Sequence, residues 1–195
     1  MTIPKILVFP GSNRSGSINA KLAGVITKEL ALKGAEVTRI SLSDYPLPLF
    51  DEDLESAKGI PENVMKLARL FASHQGVVIV TPEYNSSLPP LLKNTLDWVS
   101  RVSKDDGKPL APYRGNYFAL AASSGGGLGG IRVLPHVRDI LVSIGAQVIT
   151  EQVALANAYD AYDDMENLKE GRSRDLLGNL CVSLIEKTSK FESLQ

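Results

Sequence analysis

The sequence predicts an α/β domain in which a five-stranded parallel sheet lies between two layers of helices. Three observations carry that reading. Five short apolar runs rich in β-branched and aromatic residues recur along the chain. Five stretches with apolar residues at helical spacing alternate with them. The first and third runs are almost continuously apolar, as central parallel strands covered on both faces require. Alternation of this kind implies a parallel sheet, because parallel neighbours need a crossover between them.

The first strand is "KILVFP" (5–10). The helix after it carries Ile18, Leu22, Val25, Ile26 and Leu30 on one face and stops near Gly34. "EVTRISL" (36–42) is the second strand. A stripe of Val64, Leu67, Ala68 and Phe71 begins just after Pro61, and "GVVIVTP" (76–82) is the third strand. Leu91, Leu92, Thr95, Leu96 and Val99 mark the next helix. Pro89 and Pro90 stand at its start, where a missing N–H does little harm. "YFALAAS" (117–123) leads to a helix with Leu134, Val137, Leu141 and Ile144, closed by Gly145. "AQVITEQVAL" (146–155) is the fifth strand, and the last helix carries Leu177, Leu180, Cys181, Leu184 and Thr188. Two connections, 43–61 and 103–115, are long and read as irregular. The first carries Tyr45, Leu47, Leu49 and Phe50, so it is expected to fold down on the protein or to meet a partner.

At 195 residues one domain, 1–195, is expected. With 44% apolar and 22% charged residues the composition is that of a globular chain. A net charge of −1 leaves no electrostatic footprint for nucleic acid. No apolar run approaches the roughly 20 residues that span a bilayer, and "MTIPKILVFPGSN" lacks a cleavage signature, so neither membrane nor export is expected. The single cysteine, Cys181, excludes an internal disulfide and implies a reducing, cytoplasmic address; it lies on an apolar stripe, which suits a core thiol. His74 and His136 are too few and too far apart for a zinc site, and no metal is expected.

Ligands of open α/β sheets sit beyond the carboxyl ends of the strands, where strand order reverses. With the common order 2-1-3-4-5, strands 1 and 3 meet at that point. Their following loops, "PGSNRSGSIN" (10–19) and "TPEYNSSLPP" (81–90), are the two most polar in the chain. The first suits a phosphate. A helix N-terminus offers unpaired N–H groups and partial positive charge. Ser12, Ser15, Ser17 and Asn19 add donors, Gly11 and Gly16 let the backbone curl, and Arg14 supplies a formal charge. Any one serine taken singly reads as a helix cap; the set with Arg14 reads as an anion site. The loop lacks the lysine of a nucleotide-hydrolysing P-loop.

A third loop, "SSGGGLGGIR" (123–132), contains G-x-G-x-x-G at Gly125, Gly127 and Gly130, with Glu151 roughly where a ribose-binding acid would stand. It follows strand 4, one strand away from the switch point. It reads better as a flat floor on which a planar ring lies close to the backbone.

These residues resemble the NAD(P)H-dependent FMN reductase family, which includes chromate, quinone and azo reductases. "GSNRSGSIN" resembles its G-S-x-R-x-x-S-x-N phosphate loop. "TPEYNSSLPPLLKNTLDW" (81–98) resembles its P-E-Y-N hallmark and the S-x-P-x-x-L-K-N-x-x-D-W that follows, and "SSGGGLGG" its small-residue loop beside the flavin. The resemblance implies a flavodoxin-like three-layer sandwich with FMN as cofactor and NADPH or NADH as hydride donor. Carried over, Ser12, Arg14, Ser17 and Asn19 would hold the FMN phosphate. Pro82, Glu83, Tyr84 and Asn85 would border the isoalloxazine and ribityl, and Ser123, Gly125 and Gly126 the ring's other edge. Lys93, Asn94 and Trp98 read as residues that fix their helix or meet a neighbouring subunit.

The implied reaction is an oxidoreduction. Hydride passes from nicotinamide to flavin N5, then two electrons pass to a small acceptor such as a quinone, azo dye, chromate, nitroaromatic or free flavin. One shared open face implies ping-pong kinetics, and no catalytic side chain is needed because the flavin carries the chemistry. A homodimer or homotetramer is expected, with the loop around Tyr45 and Phe50 and the helix of Trp98 as contacts. The competing readings are a flavodoxin-type electron carrier and a flavin-binding regulatory protein without direct NAD(P)H reaction.

Overall fold

The computed structural model describes residues 2–190. Its sheet is built from β1 (Lys5–Pro10), β2 (Glu36–Arg39), β3 (Gly76–Thr81), β6 (Tyr117–Ser123) and β7 (Gln147–Leu155), all parallel, in the order β2-β1-β3-β6-β7. That is the expected 2-1-3-4-5 topology, with β4 (Lys104–Asp105) and β5 (Lys108–Pro109) pairing apart from it. The second strand ends at Arg39, three residues short of the expected Leu42, which starts a 3-10 turn at Leu42–Asp44.

The continuous apolar runs are explained by burial on both faces. Leu7, Phe9, Val77, Ile79, Phe118, Leu120 and Ala122 point into one core. That core is closed by α3 (Glu62–Ser73), α4 (Pro90–Ser100) and α5 (Val133–Ser143). The alternate residues Ile6, Val8, Val78, Val80, Ala119 and Ala121 point into the other, closed by α1 (Ile18–Leu32) and α6 (Arg172–Ser189). Side chains alternate along a strand, so a strand inside three layers must be apolar at every position.

Both long connections hold structure that the apolar pattern did not reveal. Residues Glu52–Lys58 form α2, which buries no residue and is started by Asp51, whose carboxylate accepts the Leu54 N–H at 2.8 Å. A helix without a buried face has no periodic stripe to read. In the other connection Asp106 and Gly107 both have positive φ and close the β4–β5 hairpin, the turn type that Asp-Gly favours.

The aromatic stretch before α2 is strapped to α4. Asn94 accepts the Phe50 N–H at 2.7 Å and donates to the Pro48 carbonyl at 2.9 Å, and the Trp98 indole donates to the same carbonyl at 2.8 Å. The Phe50 ring meets Trp98 edge-on at 5.0 Å. Trp98 is fully buried within the chain. Of the two roles expected for it, Trp98 therefore takes the first and fixes its helix, by holding the loop against α4.

Candidate functional site

Three loops converge beyond the carboxyl ends of β1, β3 and β6. The first leaves β1 through Gly11, whose N–H donates to the Val80 carbonyl at 2.8 Å and so ties the loop to β3. A Cβ on Gly11 would stand 3.2–3.3 Å from Leu92 and Thr81, tighter than most side chains tolerate. The chain then turns through Gly16 (φ +65°) to Ser17, which caps α1 by accepting the Ala20 N–H at 3.4 Å. The Arg14 N–H donates to the Ser12 hydroxyl at 3.3 Å. No acidic side chain occupies the first turn of α1, so the positive end of that helix is left uncompensated. Arg14 is exposed and has no carboxylate partner among the described residues. A loop with unspent N–H groups, two buried hydroxyls (Ser12, Ser17) and an exposed guanidinium, held only by a 3.4 Å hydrogen bond to the Gly16 carbonyl, is chemically suited to a phosphate.

The second loop is a two-residue hairpin. Tyr84 and Ser87 exchange backbone hydrogen bonds of 2.9 and 3.0 Å, and the residues between them, Asn85 and Ser86, both have positive φ. Tyr84 is 47% exposed at its rim, whereas Pro82 is buried beneath it. The Glu83 carboxylate is directed at α5. It accepts the Arg132 backbone N–H at 3.0 Å and the Arg132 Nε–H at 2.7 Å. Helix α5 has no capping side chain of its own, so Glu83 supplies the anion its N-terminus lacks. The hydrogen bonds from Arg132 hold the Glu83 carboxyl below the usual carboxylate range, against the opposing effect of burial. One turn further along α5, His136 Nδ1 lies 3.0 Å from the Ser87 hydroxyl and grips the other end of the hairpin.

The third loop starts at Ser123. Asn19 is committed there rather than turned freely toward the phosphate loop: its Oδ1 accepts the Ser123 N–H at 2.9 Å and its Nδ2 donates to the Ser123 carbonyl at 3.1 Å. The Ser123 hydroxyl is buried and has no hydrogen-bond partner among the described residues. The glycines divide into two sets. Gly129 (φ +63°) presses on the backbone of Ala154 and Ala156, and Gly130 (φ +81°) on Ala122, so both serve packing. A Cβ on Gly126 or Gly127 would meet almost nothing, which leaves an open, side-chain-free surface. Over Gly125 lies the Tyr159 ring, 73% exposed and only 2.5 Å from where a Cβ would stand. Backbone bonds from Asn157 to Gly126 (3.1 Å) and from Ala158 to Ser124 (3.0 Å) hold it there. The G-x-G-x-x-G reading fails with Glu151, which is spent on α6, accepting a hydrogen bond from Ser183 at 2.9 Å.

The structure thus brings together Ser12, Arg14, Ser17 and Asn19, the hairpin Pro82–Asn85, and Ser123, Gly125 and Gly126. Sequence reasoning missed Arg132, His136 and Tyr159. Arg132 ended a quoted motif, but its partner lies 49 positions away. Lys93 and Asp97 pair one turn apart on the α4 surface at 2.8 Å. Cys181 is buried, and its thiol is pushed up to about 12 by desolvation, which makes it an inert core residue.

Among the described residues no helix is long and apolar enough to cross a membrane. A quinone reductase of Escherichia coli K12 is 38% identical over 148 residues, covering 75% of this chain and 74% of that protein. An NADPH:quinone oxidoreductase of Arabidopsis thaliana is 31% identical over 197 residues, covering 96% and 93%. The solved structure of FerB, a flavoenzyme NAD(P)H:(acceptor) oxidoreductase from Paracoccus denitrificans, superposes with a TM-score of 0.79 at 23% identity over 97% of this chain and 99% of that one, a likeness of fold. The family model described as NADPH-dependent FMN reductase matches residues 4–160, the span that carries all three converging loops, and the chain belongs to that family.

Proposed function

We propose that the chain is an FMN-dependent NAD(P)H oxidoreductase that delivers two electrons to a small, quinone-type acceptor. The observation that carries it is the pairing of an anion-ready loop (Ser12, Arg14, Ser17) with an open glycine surface held to it by Asn19. The residues present fit FMN. A phosphate meets the uncompensated N-terminus of α1, a planar ring meets Gly126 and Gly127, and the orphaned Ser123 hydroxyl is a polar atom awaiting a partner. Bound FMN supplies hydride acceptance from the nicotinamide and electron delivery to the acceptor.

The protein's own contribution is placement. Arg14 balances the phosphate dianion, with the hydroxyls of Ser12 and Ser17 as neutral donors. Pro82, Glu83, Tyr84 and Asn85 form the hairpin beside the ring, mostly through backbone, since the Glu83 carboxylate is spent on Arg132. Ser123, Gly125 and Gly126 border the opposite edge. The Tyr159 ring over Gly125 narrows the approach, which suits flat acceptors. With one open face for donor and acceptor, kinetics are ping-pong. We further propose a single domain over 1–195, a cytoplasmic protein and a homodimer or homotetramer. Purified protein mixed with NADPH without oxygen tests the central reading. The yellow flavin colour should bleach rapidly and return on adding a quinone. Bound flavin that fails to react with either nicotinamide would mark an electron carrier or a regulatory flavin-binding protein, and the absence of flavin binding would sink the proposal.

A further inference from the structure

A second cleft opens on the far side of the phosphate loop, toward β2 and away from the ring-bordering loops. It encloses about 490 Å³ and is lined by Ser12, Asn13, Arg14, Arg39, Ser41 and Asp44. Arg39 is the last residue of β2 and is exposed. Among the described residues it makes neither an ion pair nor a hydrogen bond. Asp44, the carboxylate of the same cleft, pairs with neither arginine.

The opposite side of Arg39 is fitted to α1. Gly24 lies in the middle of that helix, where glycine costs about 1 kcal/mol relative to alanine. Its φ is not positive, so no turn demands it. A Cβ there would stand 2.9 Å from Arg39 Nη1, and nothing else lies within 4 Å. The missing side chain is replaced by a guanidinium, which lays Arg39 along α1 at the edge of the cleft. A cation seated in this way, with no ion-pair partner among the described residues, is available to an anion.

We propose that this cleft takes the 2′-phosphate of NADPH and that Arg39 selects NADPH over NADH; this rests on the nicotinamide-dependent reading above. The reach is compatible. From β6 to β2 the sheet takes three inter-strand steps, about 14 Å in all, so a nicotinamide over the ring-bordering loops places its adenosine end back across β1. With Arg14 and the Ser12 hydroxyl engaged by the flavin phosphate, Arg39 is the cation left to the cleft, and the Ser41 hydroxyl adds a neutral donor. Asp44 confines the phosphate to the Arg39 side by repulsion.

The test compares binding with kinetics. Adenosine 2′,5′-bisphosphate and 5′-AMP are titrated calorimetrically into FMN-loaded wild type, Arg39→Met and Arg39→Lys. KM is measured for NADPH and NADH, and FMN affinity by fluorescence. The wild type should bind the bisphosphate about tenfold or more tighter than AMP, the scale of one charged hydrogen bond. Arg39→Met should abolish that preference and raise the ratio of KM for NADPH to KM for NADH about tenfold, with Arg39→Lys between. FMN affinity should hold. Equal affinity of the wild type for the two nucleotides overturns the proposal. So does equal loss toward both in Arg39→Met, or a fall in FMN affinity, which would return the cleft to the flavin phosphate. If neither nicotinamide reduces the wild type, the functional reading fails by itself, and the nucleotide titrations still decide the cleft.

Discussion

Asn19 and Ser123 exchange two hydrogen bonds across 104 positions of sequence, both buried, and so lock the first turn of α1 to the end of β6. The phosphate loop and the glycine surface therefore cannot move independently. Asn19→Ala leaves a buried Ser123 N–H and carbonyl without partners, and should cost about 2–4 kcal/mol of stability. Urea unfolding measures that loss. FMN affinity should fall as well, because both ends of its site lose their common brace. A variant of unchanged stability would show that the bonds are replaceable by water.

Arg14→Ala should weaken FMN binding about 10- to 100-fold, the worth of about 1.5–3 kcal/mol for a hydrogen bond to a charged group. Fluorescence titration at two salt concentrations checks it. The wild type should lose affinity with salt more steeply than the variant. Riboflavin, which has no phosphate, should bind both alike. Equal FMN affinity in the two proteins would refute the phosphate assignment.

Glu83 makes the hairpin acid-sensitive. Its folded carboxyl titrates below the usual value of 4.5, chiefly because Arg132 donates to it. Its stabilisation is therefore complete above that value and lost as pH falls through the lower, folded one. Glu83→Gln should cost about 1–2 kcal/mol at neutral pH, a range discounted for the exposed side of Arg132. In strongly acid buffer the variant and the wild type should converge. Chemical denaturation at both pH values decides this; a gap that persists in acid would contradict it.

The strap across α4 should respond to a small change. Trp98→Phe keeps most of the buried ring but removes the donor to the Pro48 carbonyl, at a cost of about 1–2 kcal/mol. Limited proteolysis should then cut faster within residues 45–58. Cleavage elsewhere, or at an unchanged rate, would show that the Asn94 bonds suffice.

Assembly is expected to use the apolar rim of the site, now that Trp98 is known to face inward. Leu128 and Ile131 are 58% and 42% exposed and stand beside the glycine surface. Analytical ultracentrifugation should find a dimer or tetramer, and Leu128→Asp with Ile131→Asp should shift it toward monomer. A monomeric wild type would end this proposal.

The sequence alone determined the layers and the order of chemistry along the chain. "GVVIV" carries no polar side chain because both faces of β3 are covered, and that requirement is local enough to read directly. "GSNRSGSIN" likewise reads as a candidate anion site, because too many donors for a turn are crowded before a helix. Tertiary structure decided what each polar group is spent on. Asn19 braces Ser123, Glu83 caps a helix 49 positions away, Tyr159 covers Gly125, and Gly24 makes room for Arg39. None of these partners is near in sequence, and a hydrogen-bonding side chain looks the same whether it meets a ligand or a distant backbone. Helix α2 stayed hidden for the complementary reason, that it fully buries no residue, only Leu54 packing partly against the core, and so leaves no hydrophobic period to detect.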